Sequence, residues 1–141
     1  MKPAVYVDTS AYLALLLKEP GWQKVKKVLK GVAYCASSVM FLEALRNLVR
    51  LSRDGVVLEA DFMKLEERVF SDVELFAVKD LDLEICLNRR FPAVSLPKSL
   101  DLIHVRTALW FEENDHPVEF LTLDQSQKRS AEDVGLKTID L

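Results

Sequence analysis

Four acidic residues lie where one buried segment of this chain gives way to the next. They are Asp8 in V-Y-V-D-T-S, Glu43 in M-F-L-E-A-L, Asp101 in K-S-L-D-L-I-H and Asp124 in F-L-T-L-D-Q-S. Carboxylate oxygens are the ligands that Mg²⁺ and Mn²⁺ prefer. One or two such ions can lower the pKa of a bound water and stabilise charge on a phosphate. If the fold brings the four acids together, they predict a metal site that hydrolyses phosphodiesters.

Each acid also has an ordinary structural interpretation. Asp8 and Asp101 could each stabilise a helix N-terminus through the helix dipole. Glu43 lies on one helical stripe with Arg46 and could belong to a solvated salt-bridge face. Asp124 could form a turn or a cap. The case for a metal site therefore rests on all four acids meeting at one place.

The elements that must position these acids alternate in type along the chain. Strands are predicted at residues 4–7, 32–36, 73–78, 118–123 and 136–139. Helices are predicted at 11–18, 22–30, 58–70, 80–90, 99–113 and 125–134, and from Ser37 or Ser38 to about 53, with Ser10 and Ser99 as caps and a loop at 92–97. Alternation of this kind predicts an α/β fold with a parallel sheet covered on both faces, whose site lies beyond the carboxyl ends of the strands.

Size and composition favour one ordinary globular domain over residues 1–141. The net charge of −3 argues against a general nucleic-acid binder but not against a nuclease whose bound cations offset its acids. No apolar run approaches the ~20 residues that span a bilayer, so we expect no membrane contact and a cytoplasmic location. Cys35 and Cys86 both have apolar neighbours and are expected to be buried free thiols.

Four motifs together resemble a known family. They are V-Y-V-D-T-S-A-Y-L-A at residues 5–14, S-S-V-M-F-L-E-A-L-R-N-L at 37–48, S-L-D-L-I-H-V-R-T-A-L at 99–109 and F-L-T-L-D-Q-S-Q-K-R-S-A-E-D-V-G-L at 120–136. Their order and spacing are similar to those of PIN-domain ribonucleases, specifically the VapC toxins of prokaryotic toxin–antitoxin pairs.

The resemblance implies a three-layer α/β/α sandwich with a mainly parallel sheet and a Mg²⁺- or Mn²⁺-dependent endoribonuclease. It implies that Asp8, Glu43, Asp101 and Asp124 are the catalytic, metal-binding quartet. The hydroxyls of Thr9 and Ser10 would support that quartet. The implied partners are an RNA substrate, a second copy of the chain in a homodimer, and a cognate antitoxin that inserts an extended segment near the site.

Basic residues near the acids are candidates for RNA contact. They are Arg46, Lys98, Lys128 and Arg129. Arg106 stands where many members of the family have a small residue. His104, one turn after Asp101, is either a proton carrier or a packed, hydrogen-bonded structural residue.

Two other functions stay open at the level of sequence. A degenerate, non-catalytic PIN fold would bind metal or a partner without hydrolysis. A phosphatase or phospho-receiver on a similar sheet is disfavoured, because an aspartate nucleophile of a phosphatase wants a second aspartate where this chain has Ser10.

Overall fold

A five-stranded, all-parallel sheet forms the centre of the protein. The computed structural model describes residues 2–87, 93–95 and 98–141. The strands are β1 Ala4–Val7, β2 Tyr34–Ser37, β3 Ala77–Lys79, β4 Val118–Leu121 and β5 Lys137–Thr138. Their order is β3-β2-β1-β4-β5, and each neighbouring pair is parallel. The predicted parallel sheet is confirmed.

Helices cover both faces of this sheet. Within the described ranges they are α1 Thr9–Leu17, α2 Trp22–Leu29, α3 Val39–Arg53, α4 Glu59–Val73, α5 Leu83–Leu87, α6 Ser99–Glu113 and α7 Gln125–Asp133. Val5 and Val7 of β1 point into one core, which α1 to α4 complete. Tyr6 points into the opposite core, formed with α6 and α7. This alternation of period two gives a three-layer α/β/α sandwich, as the fold class predicted.

The topology brings the carboxyl ends of neighbouring strands to one edge of the sheet. From β1 the chain adds β2 and β3 on one side, then crosses to add β4 and β5 on the other. Strand order therefore reverses beside β1, and ligand sites of open parallel sheets lie at such switch points. Asp8 follows β1 directly, and Asp124 follows β4.

Two predicted serine caps are wrong. Helix α1 begins at Thr9, two residues earlier than predicted, because the Asp8 carboxylate accepts the Ala11 N–H and caps the helix itself. The hydroxyl of Ser10 donates to Asp8 instead. Ser99 begins α6 as its first residue, after Lys98, and no side chain caps that end.

The strand predicted at residues 73–78 is confirmed only at its last two residues. Helix α4 extends to Val73, and β3 occupies only Ala77–Lys79. Asp72 explains the longer helix, because it accepts hydrogen bonds from Tyr12 and from Arg68 one turn earlier. These bonds hold the last turn of α4 against α1, which local propensity does not anticipate.

The predictions for the two cysteines and for residues 80–97 have different outcomes. Cys35 is buried as predicted, but Cys86 is exposed because the short helix α5 buries only Ile85. The helix predicted at 80–90 is present as α5, and residues 88–90 lie outside the described part. Residues 92, 96 and 97 of the predicted loop also lie outside it. Among the described residues, no helix is both long and apolar enough to cross a membrane.

Candidate active site

Asp8 is the most deeply buried of the four acids, with 4% of its surface exposed. Its Oδ1 atom accepts hydrogen bonds from the Ser10 hydroxyl at 2.7 Å and from the Ala11 N–H at 3.0 Å. Burial raises the pKa of Asp8 above its usual range, although His104 and the nearby donors oppose this rise. The carboxylate is thus held at a fixed position at the end of β1, at a cost in desolvation.

Ser10 and Thr122 connect Asp8 to the neighbouring strand β4. Their hydroxyl oxygens lie 3.1 Å apart, and Ser10 also accepts the N–H of Leu123 at 2.9 Å. The Thr122 hydroxyl hydrogen-bonds to both Ser10 and Asp8, and its single proton goes to one of them. Thr122 in turn accepts the Asp124 N–H at 3.0 Å. This chain of bonds fixes the backbone that carries Asp124 relative to Asp8.

Glu43 projects from the second turn of α3 into a set of polar side chains. Its Oε1 atom accepts the Thr9 hydroxyl at 2.7 Å and lies 2.9 Å from Nε2 of His104. Burial acts to raise the pKa of Glu43, but the hydrogen bonds from His104 and Thr9, together with the charge of Arg46, bring it below its ordinary value. Glu43 is therefore ionised at neutral pH although it is half-buried.

Asp101 and Asp124 share one electrostatic environment. Burial and the negative charge of Asp124 raise the pKa of Asp101, and Glu43 adds to the repulsion while Lys98 opposes it. Asp124 is exposed and accepts the Ser126 hydroxyl at 2.6 Å, and donors from Ser126 hold its pKa below the usual range. Asp124 and Glu43 thus both act electrostatically on Asp101 at the carboxyl edge of the sheet.

The donor chemistry of this site fits a hard divalent cation. Among the described residues, hydrogen bonds reach only one carboxyl oxygen each of Glu43 and Asp124, and the Asp101 carboxyl accepts none. The remaining carboxylate oxygens have no hydrogen-bond donor, and the negative charges of the acids repel one another. A bound cation would coordinate these oxygens and reduce the repulsion. In the described ranges no three His, Cys, Asp or Glu side chains are already arranged around a single point as metal ligands.

The basic candidates fall into two groups. Arg46 acts electrostatically on Glu43, and Lys98 acts on both Asp101 and Asp124, so these two lie beside the acids. Lys128 pairs with Asp140 and lines a neighbouring pocket of about 380 Å³, which Lys24 also lines.

Arg129, a predicted RNA contact, and Arg106 both have partners of their own. Hydrogen bonds from Ser95 lower the pKa of Asp133, and the charge of Arg129, four residues earlier on α7, adds to this effect. Arg106 is buried and donates to the Cys86 carbonyl at 3.1 Å, so it fastens α6 to α5.

Sequence reasoning missed two contributors to the site. Tyr6 was expected only as a buried strand residue, but its hydroxyl bonds to the ring of His104. Ser126 donates through both its hydroxyl and its N–H to Asp124. The spacing T-x-D-x-S at residues 122–126 carries a usable signal for Ser126, since serine two residues after aspartate is typical of an Asx turn. Nothing in the sequence indicates the Tyr6 contact.

Comparisons with known proteins support the fold alone. No protein-family model and no curated protein matches this chain. The structure is similar to the crystal structure of PAE2754 from Pyrobaculum aerophilum, with a TM-score of 0.52. The two chains share 16% sequence identity over 96% of this chain and 83% of that one. At that identity the likeness extends to the arrangement of helices and strands.

Proposed function

We propose that this protein is a Mg²⁺- or Mn²⁺-dependent endoribonuclease of the PIN type, acting as the toxin of a type II toxin–antitoxin pair. The observation that supports the proposal is that acids from α3, α6 and the β4–α7 junction interact at one edge of the sheet. Glu43 bonds to His104 of α6, and both Asp124 and Glu43 raise the pKa of Asp101. Asp8 lies at the end of β1, where Ser10 connects it to the backbone after β4. RNA is proposed as the phosphodiester substrate because the four sequence motifs resemble those of PIN-domain ribonucleases.

The residues of the site divide the work between them. Asp8, Glu43, Asp101 and Asp124 would hold the cation. When bound, the cation supplies an activated water and offsets the charge of the phosphate. Arg46 and Lys98 beside the acids would attract the RNA backbone, because an uncompensated cluster of carboxylates repels a polyanion. Thr9 and Ser10 hold Glu43 and Asp8 in place through their hydroxyls.

The direct test is cleavage of RNA by purified protein with and without added Mn²⁺ or Mg²⁺. Total RNA and synthetic hairpins should be cut by the wild type and left intact when EDTA is present. The product is expected to carry a 5′-phosphate, because water would attack the phosphorus in line with the P–O3′ bond, which breaks so that the 3′-oxygen leaves as a hydroxyl. Asp101→Asn should be inactive but folded, since its carboxyl accepts no hydrogen bond from the described residues.

Asp115→Asn is the matched control for this test. Asp115 is exposed, and asparagine tolerates its left-handed backbone, with φ of 63°. Normal cleavage by Asp101→Asn would refute the assignment of this carboxylate. Metal binding without cleavage of any RNA would instead favour the non-catalytic alternative.

A basic groove supports the antitoxin half of the proposal. It has a volume of about 690 Å³ and lies among α1, α2 and α4, with an apolar floor that includes Leu15, Leu29 and Tyr34. Its lining also includes Lys18, Lys26, Lys27, Lys30 and Arg68, and no acidic side chain of the described residues lines it. A groove lined by both apolar and cationic side chains fits an amphipathic segment that carries acidic residues.

Charge reversal in the groove tests this partner. The protein encoded beside this chain in its genome should copurify with it after coexpression. The double variant Lys26→Glu/Lys27→Glu should lose the complex, while Lys64→Glu on the exposed face of α4 should keep it. Equal binding by both variants would exclude the groove as the antitoxin site.

A homodimer is proposed on the apolar side chains that remain exposed. Leu42 on α3 is 67% exposed, and Leu83 and Leu87 on α5 are 74% and 71% exposed. Burying such side chains would contribute about 25 cal/mol per Å² of apolar surface. Light scattering should give twice the monomer mass of 16.1 kDa, and Leu83→Asp should lower it to the monomer value. We also propose that the protein is located in the cytoplasm, where it would encounter RNA and the antitoxin.

A further inference from the structure

A line of hydrogen-bonded polar side chains runs through the core to Glu43. The Tyr6 hydroxyl lies 2.9 Å from Nδ1 of His104, and Nε2 of the same ring lies 2.9 Å from Oε1 of Glu43. Tyr6 has none of its surface exposed and His104 only 2%. Both lie in the α6 and α7 layer among Val105, Phe111 and other apolar residues. A packed, hydrogen-bonded histidine was one of the two roles predicted for His104.

The positions of the protons follow from the partners. The ionised Glu43 carboxylate can only accept, so Nε2 of His104 carries a proton and donates it. When Nε2 alone is protonated, Nδ1 is an acceptor and the Tyr6 hydroxyl can donate to it. The Thr9 hydroxyl, 3.0 Å from Nε2, donates to the same Glu43 oxygen. The donors of Thr9 and His104 therefore both end on Oε1 of Glu43, and Oε2 receives none from the described residues.

We propose that Tyr6 and His104 are positioning residues, which set the tautomer of the imidazole and thereby hold Glu43 with Oε2 presented to the site. Insofar as it concerns a metal, this inference rests on the proposed function. The groups that orient the ligands of metal ions act in this way, and their loss typically lowers metal affinity 10- to 100-fold. An apolar pair would fill the same space in the core without the desolvation of three polar groups, namely the Tyr6 hydroxyl and the two ring nitrogens of His104. The polar pair therefore needs a reason beyond packing.

The experiment measures Mn²⁺ affinity by calorimetry in the absence of RNA, alongside thermal unfolding of the metal-free protein. His104→Leu should bind Mn²⁺ about 10- to 100-fold more weakly. His104→Gln keeps an N–H donor and should recover most of that loss, and Tyr6→Phe should weaken binding in the same direction. Val69→Ala is the control, because it removes packing in the other core and should lower thermal stability without changing Mn²⁺ affinity.

A spectroscopic measurement on metal-free protein decides the inference independently. Nitrogen NMR of the His104 ring should show a protonated Nε2 and an unprotonated Nδ1, and the Nε2 signal should move in Glu43→Ala. A ring protonated on Nδ1 alone, or one indifferent to Glu43→Ala, would overturn the proposal. So would a folded His104→Leu with wild-type Mn²⁺ affinity.

The outcomes also separate this inference from the proposed function. If Mn²⁺ binding depends on His104 but no RNA is cut, only the nuclease assignment fails. If the wild type binds no Mn²⁺, the metal-dependent function fails, and the ring spectrum with Glu43→Ala decides whether His104 holds Glu43.

Discussion

Replacing Asp8 by asparagine should separate metal binding from folding. Asp8 caps α1 through Oδ1, which accepts the Ala11 N–H, and asparagine offers an amide oxygen for the same bond. Asparagine and aspartate are equally good N-caps, whereas alanine at a cap position costs ~1 kcal/mol. In a domain of 141 residues this corresponds to a difference of about 3–4 °C in Tm between Asp8→Asn and Asp8→Ala.

The comparison with wild type depends on pH in a definite direction. Burial raises the folded-state pKa of Asp8 above the ordinary value of 3.8, so ionised Asp8 costs the folded protein stability at neutral pH. Asp8→Asn removes this cost and should be at least as stable as wild type at pH 7. Its advantage should shrink as pH falls through the folded-state pKa and vanish below the unfolded value, where both states of the wild type are protonated.

Added Mn²⁺ should reverse the order of stability. A ligand at a hundredfold excess over its Kd stabilises the folded state by ~2.7 kcal/mol. Wild type should gain this amount and Asp8→Asn should gain nothing. The assay is thermal unfolding of wild type, Asp8→Asn and Asp8→Ala at pH 7 and pH 4, each with and without Mn²⁺. If Asp8→Asn unfolds at the same temperature as Asp8→Ala in metal-free buffer, the reasoning on the cap is refuted. If Mn²⁺ raises the Tm of all three proteins equally, the metal site is refuted.

Three further outcomes are expected. Asp101→Asn should lose more than ~100-fold in RNA cleavage rate, since the loss of a group that merely orients a ligand already costs up to that much, and its far-ultraviolet circular dichroism should be unchanged. Native protein should react with one equivalent of a thiol reagent, at the exposed Cys86. Cys35 should react only in denaturant, because burial raises its pKa to about 12 in the folded protein. Tyr12→Phe removes the 2.8 Å hydrogen bond to the buried Asp72 and should lower the free energy of unfolding by ~1–3 kcal/mol, and an unchanged denaturation midpoint would contradict this.

The arrangement of the sheet was accessible from the sequence, because it depends on local pattern. The run Ala4–Val7 is short, apolar and β-branched, and the segments after it have helical periodicity. When strands and helices alternate in this way, the favoured fold is a parallel sheet with helices on both faces. The positions of Asp8 and Asp124 at the ends of strands follow from the same pattern, and so does their location at one edge of the sheet.

Element ends were less predictable, because contacts between distant residues decide them. The end of α4 depends on Asp72, whose partner Tyr12 lies 60 positions away. The exposure of Cys86 depends on how little of α5 reaches the core. In each case the local sequence suits either outcome, and the packing of another element selects one.

What the sequence determined by itself is the set of acids, their order, and the strands and helices that carry them. Only the tertiary structure decided how each acid is held. Glu43 is fixed by His104, 61 positions away, and that ring is fixed by Tyr6, 98 positions away. The directions of these hydrogen bonds and the shifted pKa values of Asp8 and Asp101 arise from burial and from charges on separate elements, which have no counterpart in the spacing of residues along the chain.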